Sequence, residues 1–232
     1  MTGQAAIRKP LHFMTFAAIV SACISMATAL AQDSTPDYSA IIAAPDRTDA
    51  DLQIDKRRDP VKLLAFRAVA PTGVVYAQNP PDLGERAKTR FEARVKTPAG
   101  KNIVSLMRPF DDPLPPDVRD LDLITFLFFY HDTTYMSVDR AEMNRKLHAA
   151  LRSGGFLVIA DHSAKAGDGV SVGKTFHRIE ESALRREVEA VGFKLVAEGD
   201  FWRHPEDPRD FSIQPPSGRA VDEFVLKFQK SM

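Results

Sequence analysis

Residues 120–164 constrain the fold of this chain more than any other stretch. Leu121–Tyr130 is an apolar run rich in Ile, Phe and Leu and without alternation, which suits a strand buried on both faces. A helical stretch follows. Ser137 can cap it, Met143, Leu147 and Leu151 recur at helical spacing, and Gly154-Gly155 can end it. Phe156–Ala160 is a second short apolar strand. Strand, helix and strand with tight connections form a βαβ unit, so the two strands should be parallel and the crossover right-handed. Both strands end in polar residues, Tyr130-His131-Asp132 and Asp161-His162-Ser163. Open parallel sheets bind ligands beyond the carboxyl ends of their strands, so these two ends are the candidate site.

The 232 residues are enough for one α/β domain. Lys and Arg number 31, as do Asp and Glu, and this balance argues against a nucleic-acid partner held by phosphate contacts. The start of the chain reads as an export signal over residues 1–31. Arg8 and Lys9 precede the apolar stretch Leu11–Ala31, and Ala29-Leu30-Ala31 fits a cleavage site before Gln32. An uncleaved anchor is one alternative. Lipidation at Cys23, within Val20-Ser21-Ala22-Cys23, is another, and only these two would tie the protein to a membrane. Cys23 is the sole cysteine, so the cleaved form has no disulfide and no thiolate metal site. The expected location is periplasmic or secreted.

Residues 32–46 read as a mobile lead-in, and residues 47–232 as the α/β domain. Asp59-Pro60 suits an N-cap followed by proline in the first helical turn. Strands are expected at Val74–Ala77, ending at Gln78-Asn79, and at Asn102–Met107, with a helix over Leu83–Val95 between them. After Ser163 come a flexible glycine-rich loop, Gly167–Gly173, a helix carrying Leu184, Val188 and Val191, and a strand at Phe193–Ala197. A long polar loop, Trp202–Gly218, then leads to a strand of alternating character, Glu223–Phe228. The alternation of helix and strand indicates a doubly wound layer structure.

Gly173-Lys174-Thr175 lies between a strand and a helix, as a phosphate-binding loop would. The glycine required five positions earlier is Asp168, which excludes that motif. His131, Asp132, Asp161 and His162 are of types that ligate zinc or iron, which leaves a metal-dependent hydrolase as an alternative. Ser163 lacks the G-x-S-x-G context of a hydrolase nucleophile. His131 or Asp132 is placed to act as a general acid or base.

From about Arg47 onward the chain resembles the class I, Rossmann-like S-adenosylmethionine-dependent methyltransferases, in particular predicted bacterial members with export signals. The resemblance rests on Asp59-Pro60 with Leu63-Leu64-Ala65-Phe66, Gly73-Val74-Val75-Tyr76-Ala77, Phe129-Tyr130-His131-Asp132, Gly154-Gly155 with Ala160-Asp161-His162, His177-Arg178-Ile179, Glu189-Ala190-Val191-Gly192-Phe193 and Asp222-Glu223-Phe224-Val225. It implies a three-layer fold with a mostly parallel sheet, S-adenosylmethionine as cofactor and a methyl acceptor of unknown identity. It also implies that His131 and Asp132 are catalytic and that Gln78, Asn79, Asp111, Asp112, Tyr130, Asp161 and His162 line the cofactor site.

One departure is large. Where the family has its first, central strand, a glycine-rich loop and most of a helix whose end resembles Arg67-Ala68-Val69-Ala70, Phe66 runs straight into Arg67. Those elements amount to roughly 20–25 residues. The sheet should therefore lack its central strand, and Val74–Ala77 should pair directly with Leu121–Tyr130 so that no buried edge is left open. S-adenosylmethionine should bind weakly or not at all. A non-catalytic binding or vestigial protein on the same fold is the alternative to an active methyltransferase.

Overall fold

The computed structural model describes residues 38–43, 45, 47–67, 75–78, 89, 92–93, 96, 103–106, 108–215 and 218–231. The export signal, Asn79 and most of the expected helix over Leu83–Val95 lie outside these residues.

Three helices come first: α1 (Tyr38–Ile42), α2 (Asp49–Arg58) and α3 (Pro60–Arg67). The first of them falls within the expected lead-in. Thr48 and Asp51 form a capping box on α2. Asp59 closes α2 in a left-handed conformation, with φ 35°, and hands over to Pro60, whose missing N–H costs nothing in a first helical turn. Strands β1 (Val75–Gln78) and β2 (Ile103–Leu106) pair in parallel with each other. The rest of the chain builds a second sheet from β3 (Leu121–Leu127), α4 (Arg140–Ala150), β4 (Leu151–His162), the one-turn α5 (Gly173–Phe176), α6 (Glu181–Glu189), β5 (Phe193–Gly199) and β6 (Glu223–Lys230).

The order in this sheet is β3-β4-β6-β5. β3 and β4 are parallel, and β6 runs antiparallel to both β4 and β5, so three of the four strands point the same way. Leu157 and Ile159 of β4 join Met143, Leu147, Leu184 and Val188 of α4 and α6 on one face. Val158 and Ala160 join Leu63 and Trp202 on the other. This alternation is the period-two geometry of a strand covered on both sides. Leu157, Val158 and Ile159 are fully buried, each contributing roughly 1.5–3 kcal/mol.

Several expectations are corrected. Direct pairing of the β1 region with β3 does not occur: among the described residues β1 pairs with β2, and β3 pairs with β4. Among the described strands β3 therefore lies at an edge, and Leu121, Leu123, Ile124, Phe126 and Leu127 are half-buried instead of buried on both faces. The helix cap is Asp139, whose carboxylate accepts from the Glu142 N–H at 2.9 Å, because Ser137 still belongs to the preceding turns. Gly154-Gly155 does not end α4; it lies inside β4, at a register shift between Leu121 and Leu123 of the partner strand. Gly154 has φ 73°, and a Cβ on Gly155 would come 2.9 Å from the Leu121 carbonyl, so both glycines serve a bulge. β6 sits between two strands, and Phe224, Val225 and Leu226 are all buried, so it does not alternate simply. The loop expected to be flexible is anchored, since Glu180 Oε2 accepts from the N–H groups of Gly167 and Gly169 at 3.0 and 2.9 Å.

Candidate functional site

The carboxyl end of β3 turns sharply. Phe128 takes φ 65°, and its N–H donates to the Ala160 carbonyl of β4 at 2.8 Å. A one-turn 3-10 helix, His131–Thr134, follows at once. The Thr133 and Thr134 hydroxyls donate to the carbonyls of Tyr130 and His131, which fixes that turn. β4 ends alongside it in Asp161 and His162.

Asp161 is fully buried and joins the two strand ends. Its Oδ2 accepts from the His131 backbone N–H at 2.8 Å, and its Oδ1 lies 2.6 Å from His131 Nδ1. The same Oδ1 accepts from the His162 N–H at 2.8 Å. On the other side of the ring, His131 Nε2 stands 3.1 Å from Asp132 Oδ1. The Tyr135 hydroxyl also donates to that oxygen. Burial alone would lower the His131 pKa, but hydrogen bonds to Asp132 and Asp161, together with their charges, outweigh it and raise the pKa to about 9. Burial likewise opposes ionisation of Asp132, yet His131, Tyr135 and the nearby His177 hold its carboxyl below the usual range.

His177 is the residue that the sequence reading did not assign to the site. The segment after α5 runs beside the end of β4, bridging Ile179 to Ser163, and brings His177 Nδ1 to 3.7 Å from Asp132 Oδ1. The His131 and His177 rings meet edge-on, with centroids 5.6 Å apart. Gly173 makes this possible. A Cβ there would fall 2.0 Å from Thr134 Oγ1 and 2.8 Å from the His131 carbonyl, so only glycine lets α5 approach the 3-10 turn. In the sequence His177 stood only within the stretch His177-Arg178-Ile179, which by itself says nothing about its neighbours.

Of the expected site residues, His131, Asp132, Asp161 and His162 come together. Tyr130 turns into the core: its hydroxyl donates to Glu187 Oε2 at 2.9 Å and accepts from Asn144 Nδ2 at 2.8 Å, and burial pushes its pKa far up. Asp112 pairs with Arg108 and with Lys146, and Lys146 also donates to the Asp111 carbonyl. Gln78 ends β1, in register with Leu106 of β2. The Ser163 hydroxyl lies 3.4 Å from Arg203 Nη1, a cation that cannot serve as a base for a serine nucleophile. His162 stacks at 4.9 Å on Phe128, with its Nδ1 3.2 Å from Glu223 Oε1. Two surface cavities, of about 330 and 350 Å³, border this end of the sheet, one lined by Ser163, Glu181 and Arg203 and the other by Arg57, Trp202 and Glu223.

The residues around the expected cofactor cradle do not fit S-adenosylmethionine as the family holds it. Helix α3 continues to Arg67 and β1 begins at Val75, which leaves no length for a strand, a glycine-rich loop and a further helix.

No protein-family model matches this chain, and no curated protein matches it. Among solved structures it is similar to the [4+2]-cyclase SpnF, at 12% identity and a TM-score of 0.52, over 82% of this chain and 86% of that one. It also aligns with a SAM-dependent methyltransferase from Methanosarcina mazei, at 12% identity and TM-score 0.45, over 68% and 82% of the two chains. A possible exported protein from Bordetella parapertussis aligns at 13% identity and TM-score 0.49, over 84% and 78%. At such identities the likeness bears on fold alone, and the likeness to SpnF agrees with the sheet and its helical layers: the chain has a Rossmann-like α/β fold.

Proposed function

We propose that the chain is a methyltransferase-family protein reduced on its cofactor side, which keeps the acceptor end of the site and binds S-adenosylmethionine weakly or not at all. The observation that supports this most directly is the asymmetry of the site. The ends of β3 and β4 carry a fully connected polar network of His131, Asp132 and Asp161. The chain between α3 and β1 is too short for the strand, glycine-rich loop and helix whose backbone N–H groups would hold the cofactor's amino-acid end. Lost hydrogen bonds to a charged ligand, at about 1.5–3 kcal/mol each, weaken binding by orders of magnitude.

Within the retained end, the protonated His131 is a hydrogen-bond donor at neutral pH. Asp132 is then the group able to accept a proton from a ligand, and its depressed pKa makes it a weak base. Titration calorimetry of the full chain with S-adenosylmethionine tests the proposal: no heat, or affinity weaker than micromolar, is expected. Micromolar or tighter binding would overturn it. Export is part of the same reading, supported by Arg8-Lys9, the apolar stretch and Ala29-Leu30-Ala31. Mass spectrometry of the secreted fraction should find Gln32 at the N-terminus, and an intact or Cys23-lipidated start would refute that.

A further inference from the structure

We propose that His131, Asp132 and His177 form a binding site for one divalent transition-metal ion of the zinc class, with Asp161 as the residue that orients His131. Each of the three side chains offers one ligand atom, and these atoms all lie within 4.8 Å of one another; an ion displaces the proton from His131 Nε2 as it binds. Bonds of about 2.0–2.2 Å meeting at a tetrahedral angle place neighbouring ligand atoms about 3.3–3.6 Å apart. The separations of 3.1 Å from His131 Nε2 to Asp132 Oδ1 and 3.7 Å from His177 Nδ1 to the same oxygen bracket that value. Two imidazoles and one carboxylate are a donor set that zinc, cobalt and nickel accept, with a further position left for water or a ligand oxygen.

The arrangement behind the three donors supports a metal over a simple hydrogen-bonded cluster. A metal-bound histidine usually directs its other nitrogen to a carboxylate, which fixes the ring and its tautomer. His131 Nδ1 meets Asp161 at 2.6 Å, and Asp161 is itself held by two backbone N–H groups. The Tyr135 hydroxyl donates to Asp132 Oδ1, the oxygen offered to the ion, and leaves that oxygen a second lone pair. His177 occupies a left-handed backbone conformation, φ 55°, at the end of a one-turn helix, and its ring is half-exposed. This site requires no S-adenosylmethionine, and it is independent of whether the cofactor binds.

Cobalt(II) titration of the chelator-stripped full chain, followed by visible ligand-field absorption, tests the proposal, with zinc added afterwards as competitor. One cobalt per chain should bind and be displaced by zinc. His177→Asn, which suits the left-handed backbone, and Asp132→Asn should each weaken binding by about tenfold or more. Asp161→Asn should weaken it by about 10–100-fold while leaving the stoichiometry at one, as expected of an orienting residue. His204→Asn, beyond the cluster, should change nothing. Urea midpoints identify any variant that fails to fold, and His177→Gln then replaces His177→Asn. Absence of saturable absorption in the parent protein, or equal affinity in folded His177 and Asp132 variants, would overturn the site.

Discussion

Gly173→Ala isolates the close approach on which the candidate site depends. The new Cβ would stand 2.0 Å from Thr134 Oγ1, 2.8 Å from the His131 carbonyl and 3.3 Å from Thr134 Cβ. Thr134 can rotate away, but its hydroxyl then gives up its 2.7 Å bond to that carbonyl, a loss of about 1 kcal/mol. The carbonyl belongs to the 3-10 turn and cannot rotate independently, so α5 must move outward, and overpacking of this kind costs about 1–3 kcal/mol. Restricting the unfolded chain returns about 0.4–1 kcal/mol. The net expectation is a destabilisation of about 1–3 kcal/mol, read as a lower urea midpoint at unchanged slope. Gly169→Ala is the contrasting control. Nothing lies within 4 Å of its Cβ position, and its φ of 56° makes the cost purely conformational. Thr134→Ala should therefore recover part of the loss in the Gly173→Ala background and none in the Gly169→Ala background. If Gly173→Ala matched the parent midpoint, or Thr134→Ala rescued both equally, the packing of α5 against His131 would be wrong.

Arg178 and Asp207 form a fully buried ion pair at 2.7 Å, so Arg178→Met should cost about 3–5 kcal/mol by leaving a buried charge uncompensated; the urea midpoint measures this, and adding Asp207→Asn should restore part of it. For Glu223, burial would raise the pKa, but His162 and Arg58 outweigh it and hold it low. The stability it contributes is present above the unfolded value of about 4.3 and is lost as pH falls through the folded value, so Glu223→Gln should flatten the stability profile on the acid side. His131 behaves oppositely: its contribution is full below the unfolded value of about 6.5 and is lost as pH rises through about 9. The metal-free parent should therefore lose urea stability between neutral and alkaline pH more steeply than His131→Asn, and parallel profiles would refute the assignment.

The βαβ unit was legible because its apolar runs are long and its connections short, and the strand ends were legible because polar residues stop both runs together. The identity of the caps and bulges was less accessible. Gly154-Gly155 permits a left-handed turn, which serves a helix end and a strand bulge equally well, and only the neighbouring Leu121 carbonyl decides between them. Lys227 and Gln229 gave β6 a polar side, yet both are half-buried and bonded to carbonyls, Phe66 and Gly154, which the sequence does not place nearby. His177 escaped notice because its role depends on a contact across residues 131 and 173, a matter of tertiary packing. The missing cradle was visible as a deletion, but the way the sheet accommodates it was not: β3 keeps an open edge among the described strands instead of adopting a new neighbour.

The position of β6 sets the order in which the sheet can assemble. β5 pairs only with β6 among the described strands, and β6 pairs with β4 from Phe156↔Gln229 to His162↔Glu223. During synthesis β5 therefore emerges before its only partner, and its buried Phe193 waits without a strand to pair with. The loop that must close to join β6 to β4 is long, so this step comes late and adds to the sequence separation that slows folding. A ribosome stalled after β5 would hold a nascent chain with β3, α4 and β4 formed and an adhesive strand still unpaired, the state in which such a domain is most open to aggregation and to chaperone capture.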